Sequence, residues 1–324
     1  MFAMSARNNT ILITGGTSGL GYYCALDVAR LCPESNIVLA SRTDTNSAAA
    51  LINETLGQSN VKFLPLDLSN LAKVRSFVRD WEATSHPPIQ ALLLNAGLQF
   101  PDGVRYTDDG IEATFGVNHV GHALLFHLLT PYLGDNARVV ITASGTHDPV
   151  QKTGLPDAKY TTAEELAHPT AETAKNDGRQ RYATSKLANV MWTYALHERF
   201  ARGPGKSRTA VAFDPGLVPG TGLAREAPAI LQFVWNYILP YMVPLLRRFL
   251  SANVHTAQES GTALARLAVS TDVEGVTGVY YEGMKQIKSS HESYDEKKQE
   301  DLWEWTVKNT ARDEEEVRNF NAVA

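Results

Sequence analysis

Only two cysteines occur in the 324 residues, Cys24 and Cys32, both in the first strand–helix unit. That is too few for a disulfide framework, and neither joins a cluster with metal-ligand spacing, so no metal site is expected. Core filling in a reducing, cytoplasmic setting is the expected role of both. An excess of basic residues is also missing. The net charge is −5 and the pI is near 6.0, which excludes the basic patch of a nucleic-acid binder. Met1–Asn9 lacks the apolar core of a signal peptide. No low-complexity tract or internal repeat appears. A long unbroken apolar run is absent as well: Ala227–Leu246 carries no charge, but Pro228, Pro240 and Pro244 interrupt it and Gln232 and Asn236 sit inside it. A spanning helix is therefore not expected there. A substrate lid is preferred, with a patch resting on a membrane surface as the alternative.

What is present is ample apolar material, 44% of the residues, arranged in a strand–helix rhythm. Strands are expected at Thr10–Thr14, Asn36–Ala40, Val61–Leu66, Ala91–Asn95, Arg138–Ala143 and Thr209–Phe213, with a later one at Gly278–Tyr281. Helical patterns fall between them, for example Gly19–Leu31, Asn70–Ala83 and Arg181–Phe200. The strands read as continuous apolar runs, as doubly buried strands should. Alternation of this kind calls for right-handed crossovers and a parallel sheet covered on both faces. The expected fold is a doubly wound α/β, Rossmann-type sheet in a single domain over 1–324. Two stretches break the rhythm: His147–Gln180, polar and expected as a surface excursion, and 217–254, the expected lid. The chain turns charged after Tyr281, and 286–324 reads as a C-terminal extension in which Ser293–Asn309 forms a surface helix.

The first strand runs into Thr14-Gly15-Gly16-Thr17-Ser18-Gly19-Leu20-Gly21. Glycines there let the backbone turn sharply and approach a pyrophosphate, whose charge the following helix N-terminus meets. A plain tight turn is the competing explanation, and the strand before and helix after argue against it. The spacing T-G-x-x-x-G-x-G resembles that of the short-chain dehydrogenase/reductase family, and the resemblance runs from about residue 8 to residue 285. Asn95-Ala96-Gly97 matches the family's N-A-G motif, and Asp67-Leu68 its adenine-contacting pair. Asn118, Ser144, Tyr182 and Lys186 match its catalytic tetrad, and Asp214-Pro215-Gly216 its nicotinamide-side turn, which continues through Val218. Within the family, Val117–His122 and Pro215–Leu223 are similar to the retinol dehydrogenase and protochlorophyllide reductase branch. The sequence departs from that branch in places. Gly220 stands where relatives often carry Thr, leaving Thr221 as the hydroxyl near the carboxamide. Ala188 replaces the cysteine of the light-dependent plant enzyme, which argues against photochemistry.

Y-x-x-x-K occurs three times, as Tyr182/Lys186, Tyr281/Lys285 and Tyr294/Lys298, so spacing alone does not choose. Tyr281 closes a strand and has Gly283 before its lysine; Tyr294 lies in the charged tail, where a solvated pair is expected. Only Tyr182 opens a long helix after the strand bearing Ser144. At i and i+4 the two side chains share a helix face, so the ammonium is expected to lower the phenol pKa. The phenol then exchanges a proton with a carbonyl oxygen as hydride reaches or leaves the carbon, while Ser144 stabilises that oxygen. By resemblance, Lys186 also binds the nicotinamide ribose and Asn118 holds a relaying water.

Cofactor choice turns on another absence. No Asp or Glu occurs from Val38 to Thr43, where an NAD enzyme places the acid that holds the ribose 2′-hydroxyl. Ser41-Arg42 instead suits a 2′-phosphate, so NADPH is the expected cofactor. His119 and His122 sit three residues apart without a third ligand, and His127 and His147 follow; packing or subunit contact is expected for them. The aromatics Phe233, Trp235, Tyr237 and Tyr241 suggest a wall for a bulky, hydrophobic carbonyl substrate. Double-bond reduction and an NADPH-binding sensor without turnover are the alternatives, and the complete tetrad argues against the sensor. Family resemblance implies dimers or tetramers, which the 147–180 insertion and the terminal tail stand to obstruct.

Overall fold

The computed structural model describes residues 8–203, 205 and 207–323; Met1–Arg7, most of the N-terminal stretch considered above, lie outside the described residues. Seven parallel strands and one antiparallel edge strand form a single sheet in the order β3-β2-β1-β4-β5-β6-β7-β8. The strands are β1 Asn9–Thr14, β2 Ser35–Ser41, β3 Val61–Pro65, β4 Ile89–Leu94, β5 Leu133–Thr142, β6 Thr209–Asp214, β7 Val279–Glu282 and β8 Lys285–Ile287. Strand order reverses between β1 and β4. In open α/β sheets, ligands bind at that switch point, outside the strand C-termini.

Among the described residues the main helical segments that flank or extend the sheet are α1 Gly19–Leu31, α2 Ala48–Leu56, α3 Leu71–Ala83, α4 (113–129), α5 Ala163–Ala167, α6 Gly178–Arg202, α7 Ala229–Phe249, α8 Ala257–Val269, α9 Glu296–Thr310 and α10 Glu314–Ala322. Two cores lie on opposite faces of the sheet. One gathers Ile13, Ile37, Leu93 and Phe213 against α1 and α8; the other gathers Leu12, Leu92, Val139 and Ile141 against α3, α4 and α6. Successive strand residues thus enter different cores, which is why the strands read as unbroken apolar runs.

Helix α6 is buried along most of its length, from Tyr182 to Leu196, because α9 covers the side that faces away from the sheet. This corrects the expectation of a terminal surface helix. Leu302, Trp303 and Thr306 of α9 are wholly buried, and the Arg199 guanidinium lies 3.9 Å over the Trp303 ring. The carboxylate of Glu316 in α10 receives both terminal nitrogens of Arg75, at 2.8 and 2.7 Å, a bidentate geometry that holds the tail onto α3. The stretch expected as a surface excursion, His147–Gln180, also packs inward in part. Tyr160, Ala163 and Ala167 are buried, and Asp301 of α9 accepts hydrogen bonds from the Tyr160 hydroxyl and the Ala163 amide. The short antiparallel β8 gave no signal in the sequence: it is three residues at the sheet edge, with Lys285 outermost.

Candidate active site

The C-terminal edge of the sheet opens into a cavity of about 690 Å³. Its lining includes the glycine turn (Gly15, Thr17, Ser18, Gly19, Leu20, Gly21), Ser41 and Arg42 after β2, Asp67 and Leu68 after β3, and Asn95, Ala96 and Gly97 after β4. Ser144, Tyr182, Lys186, Pro215, Gly216, Val218 and Thr221 complete the set. Of the catalytic and cofactor-binding residues expected from the sequence, Asn118 alone does not line the cavity.

The glycine turn has the conformations and clearances a phosphate cradle requires. Gly15 adopts φ +68°, and a Cβ there would lie 3.0 Å from the Ala96 Cα. At Gly21 a Cβ would come within 2.3 Å of the Gly15 carbonyl oxygen, so only glycine lets α1 begin this close to the turn. Ser18 opens α1 without a side-chain cap, leaving the helix N-terminus facing the cavity. Two guanidinium groups, Arg42 and Arg225, line the same space, close enough that Arg42 helps to lower the Arg225 pKa after burial has done most of it. These features fit the phosphates of a dinucleotide. Asp67, by contrast, is already engaged. Burial pushes its carboxyl pKa up, but the Lys73 ammonium at 2.8 Å and the Ser69 hydroxyl outweigh that and hold it below the usual carboxylate value.

Thr14 links these motifs. Its hydroxyl oxygen accepts from the amides of Asn95 (2.8 Å) and Ala96 (3.0 Å) and lies 2.9 Å from His122 Nε2. The Asn95 side chain returns a bond to the Thr14 carbonyl at 2.9 Å, which fixes the N-A-G turn against the end of β1.

Ser144 lies just beyond β5, and Tyr182 and Lys186 occupy the second and third turns of α6. Asn118 sits in a π-helical turn, Gly116–Val120, that interrupts α4. Such one-turn bulges commonly mark functional positions, since they redirect a side chain and free backbone groups. The Asn118 side chain is clamped to Leu98, taking its amide and donating to its carbonyl at 2.9 Å each, and also donates to Ser185 Oγ at 3.0 Å. Lys186 Nζ and Asn118 Oδ1 both lie close to Gly97, 3.5 and 3.6 Å from where a Cβ would stand.

Charge in this site differs from the sequence expectation. Burial pushes the Tyr182 phenol well above its ordinary value, Asp214 adds to the rise, and Ser144 opposes it. The Lys186 ammonium lies 5.6 Å from the ring centre and donates to the Thr142 carbonyl at 3.0 Å. Burial lowers Lys186 itself, to about 8, against the pull of Asp214. The phenol is therefore held in its protonated, acid form.

Asp214 had been noted only as part of a turn, yet its carboxylate is buried and acts on both residues. Its oxygens accept from the Gly216 amide (2.9 Å) and the Asn253 side chain (2.8 Å). Gly216, at φ +75°, is required by this closure: a Cβ would meet Asn253 Oδ1 at 2.4 Å. The Leu217 amide donates to the Asn253 carbonyl and the Leu217 carbonyl accepts from the His255 amide, each at 2.9 Å, so the 217–254 excursion leaves and rejoins the body through one latch.

Comparison with known proteins decides the family. Residues 9–154 match the short chain dehydrogenase family, and 223–317 match the AcuH dehydrogenase domain. Human polyprenol dehydrogenase is 31% identical over 301 residues, covering 90% of this chain and 82% of that protein. The chain belongs to the short-chain dehydrogenase/reductase family. Chloroplastic protochlorophyllide reductase of Daucus carota is 28% identical, over 93% of this chain and 78% of its own length. Among solved structures, a Mycobacterium paratuberculosis protein described as uncharacterized superposes with a TM-score of 0.65 at 22% identity, covering 95% of this chain and 97% of the other. A short-chain dehydrogenase family protein from Francisella tularensis gives 0.57 at 16% identity, covering 84% and 96%. The fold of these two neighbours is this one. As a short-chain dehydrogenase/reductase the chain is an oxidoreductase of a family that uses NAD(P)(H).

Several cavity residues of this oxidoreductase escaped the sequence reasoning. Gln151, Lys152, Thr153 and Leu155 reach the cavity from the 147–180 insertion, and Arg225, Leu250 and Asn253 from the second excursion. Position in a long loop carries no periodic signal, so nothing in the sequence distinguished them from surface residues. The aromatic quartet also divides. Trp235 lines the cavity, its indole nitrogen donating to the Thr221 carbonyl at 2.9 Å, whereas Phe233, Tyr237 and Tyr241 face solvent. The histidines are packing residues. Burial holds the His122 pKa to about 4 and those of His119 and His127 to about 3. His119 and His127 stack on Phe115 and Phe320, and His147 Nε2 accepts from the Ser290 amide. Among the described residues no cluster with metal-ligand geometry occurs.

Proposed function

We propose that this chain is an NADPH-dependent reductase that delivers hydride to the carbonyl carbon of a bulky hydrophobic substrate, reversibly with the corresponding alcohol. The observation carrying this reading is that Ser144, Tyr182 and Lys186 line the same cavity as the glycine turn and Arg42. Bound NADPH would supply the hydride. Gly15 to Gly21 and the start of α1 would hold its pyrophosphate, and Arg42 its 2′-phosphate. Tyr182, kept as a neutral phenol, would give its proton to the carbonyl oxygen as that oxygen gains charge, and Ser144 would hold the same oxygen by a hydrogen bond. Lys186 would bind the ribose and return positive charge beside the phenolate that forms. Asn118, clamped at Leu98 next to Gly97, would orient the water that reprotonates the site.

The substrate class follows from the wall and from kinship. Leu155, Leu217, Val218, Leu223, Trp235 and Leu250 give the substrate side an apolar lining, and the human relative is named for polyprenol, a long-chain lipid alcohol. A long-chain hydrophobic aldehyde or ketone fits both. The division of the aromatics supplies the test. Trp235→Ser should raise KM for bulky carbonyls about tenfold, in line with loss of a buried aromatic contact, and leave NADPH affinity unchanged. Phe233→Ser should leave both unchanged. Steady-state kinetics with short and long carbonyls read the difference; an unaltered KM in Trp235→Ser would remove this helix from the substrate site.

A further inference from the structure

Helix α7 inverts the usual arrangement of a surface helix. Two of its polar side chains turn inward: the Gln232 amide donates to the carbonyls of Arg225 (2.9 Å) and Ala227 (2.8 Å), and the Trp235 indole donates to Thr221. Val243 is buried against the body. The outward positions are apolar apart from Asn236 and Arg248. Ile230 is 80% exposed, Tyr241 87% and Phe249 78%, with Phe233, Tyr237 and Leu245 also in solvent. These follow the helical repeat from 230 through 237, 241, 245 and 249, so they form one continuous stripe. Over 21 residues that stripe is about 31 Å long. Exposed apolar surface of this extent marks a docking site.

Charge selects the occupant. In a chain of net charge −5, no acidic residue occurs from Ala227 to Gln258, while Arg247 and Arg248 close the helix. Arg247 pairs with Glu259 at 2.7 Å; Arg248 is exposed, its guanidinium 5.6 Å over the Phe249 ring. A second copy of the chain, related by a two-fold axis, would set each Arg248 against its mate or against the apolar Ile230 end. Glu226, the acid before the Ile230 end, is already paired with Arg105 at 2.9 Å. An anionic lipid surface offers acyl chains to the stripe and phosphates to Arg248. Tyr237 and Tyr241, with apolar rings and polar tips, suit the boundary between the two. By length and composition alone α7 is able to cross a membrane, but Gln232 and Trp235 tie its inner side to the 221–227 segment before it, and Val243 is buried.

We infer that the outer face of α7 docks flat on an anionic lipid bilayer, with the cavity wall at Trp235 and Leu250 placed beside the membrane. A hydrophobic substrate then reaches the site from the acyl region without crossing water. The docking stands on α7 alone and does not depend on the reaction proposed above.

Co-sedimentation of the full chain with phosphatidylcholine vesicles, with and without phosphatidylserine, tests this. The wild type should pellet with vesicles, and more strongly when phosphatidylserine is present. A Phe233→Ser/Tyr241→Ser/Phe249→Ser variant should lose about tenfold or more in partitioning, while turning over a water-soluble carbonyl at the wild-type rate, which also shows that it folds. Arg248→Glu should lose only the increment due to phosphatidylserine. Equal pelleting of wild type and triple variant would overturn the inference. So would lipid-free sedimentation velocity that shows self-association abolished by the same three substitutions, since the stripe would then be a contact between copies.

Discussion

Tyr182→Phe should bind NADPH as the wild type does and lose about 10²- to 10⁴-fold in turnover, the range expected for loss of a general acid. The substitution removes one oxygen. The ring stays packed in α6, Ser144 and Lys186 keep their places, and the glycine turn is untouched. Burial and Asp214 favour the protonated phenol, so the group is ready to donate before the carbonyl arrives. Tyr281→Phe and Tyr294→Phe serve as controls. Tyr281 is buried in β7 and does not line the cavity; Tyr294 stacks on Tyr194 with its ring centre 5.0 Å away. Both should keep their activity. NADPH fluorescence titration and initial rates give the two readouts, and a Tyr182→Phe enzyme within tenfold of the wild-type rate would remove Tyr182 from the chemistry.

Arg42→Asp should reverse the preference between the two nicotinamide cofactors. A charge-assisted bond to phosphate is worth about 1.5–3 kcal/mol, or roughly 10- to 100-fold, and an acid in that place adds repulsion. The loss for NADPH should therefore exceed about 100-fold, while NADH, with a hydroxyl at that position, should change little or bind better. Arg225 lines the same cavity and bonds to the Gly97 carbonyl at 2.7 Å, so it moderates the loss without replacing Arg42. Titration of both cofactors against both proteins measures the ratio. Equal losses for NADPH and NADH would show that Arg42 does not read the 2′-phosphate.

The parts of this molecule that were legible in the sequence are those where only one kind of residue fits. Gly15 and Gly21 announce the turn because any side chain there would strike Ala96 or the Gly15 carbonyl. The bounds expected for α1, Gly19–Leu31, are those found, since the glycine turn starts the helix and Pro33 follows its end. Strands β1 to β7 stood out because burial fills most of their central positions with apolar residues. What stayed hidden depends on partners far away in the chain. The α9 stripe Leu302–Thr306–Thr310 is flanked by charges, and only contact with α6 shows that it is core. Asp214 resembles any turn acid until its burial beside Tyr182 and Lys186 is seen. Composition flagged α7 as apolar, but not that Gln232 and Trp235 turn inward. The Tyr182–Lys186 spacing predicted one helix face correctly and the electrostatics wrongly, because sequence spacing carries no measure of burial.

The central claim is hydride delivery to a carbonyl carbon, and an isotope places that hydride. The substrate is a prenyl α,β-unsaturated aldehyde, which offers a carbonyl and a double bond in one molecule, with NADPH carrying deuterium at the transferring position. The account predicts an allylic alcohol with deuterium on the carbinol carbon and the double bond intact. Deuterium at the β-carbon of a saturated aldehyde would contradict it and identify the chain as a double-bond reductase instead.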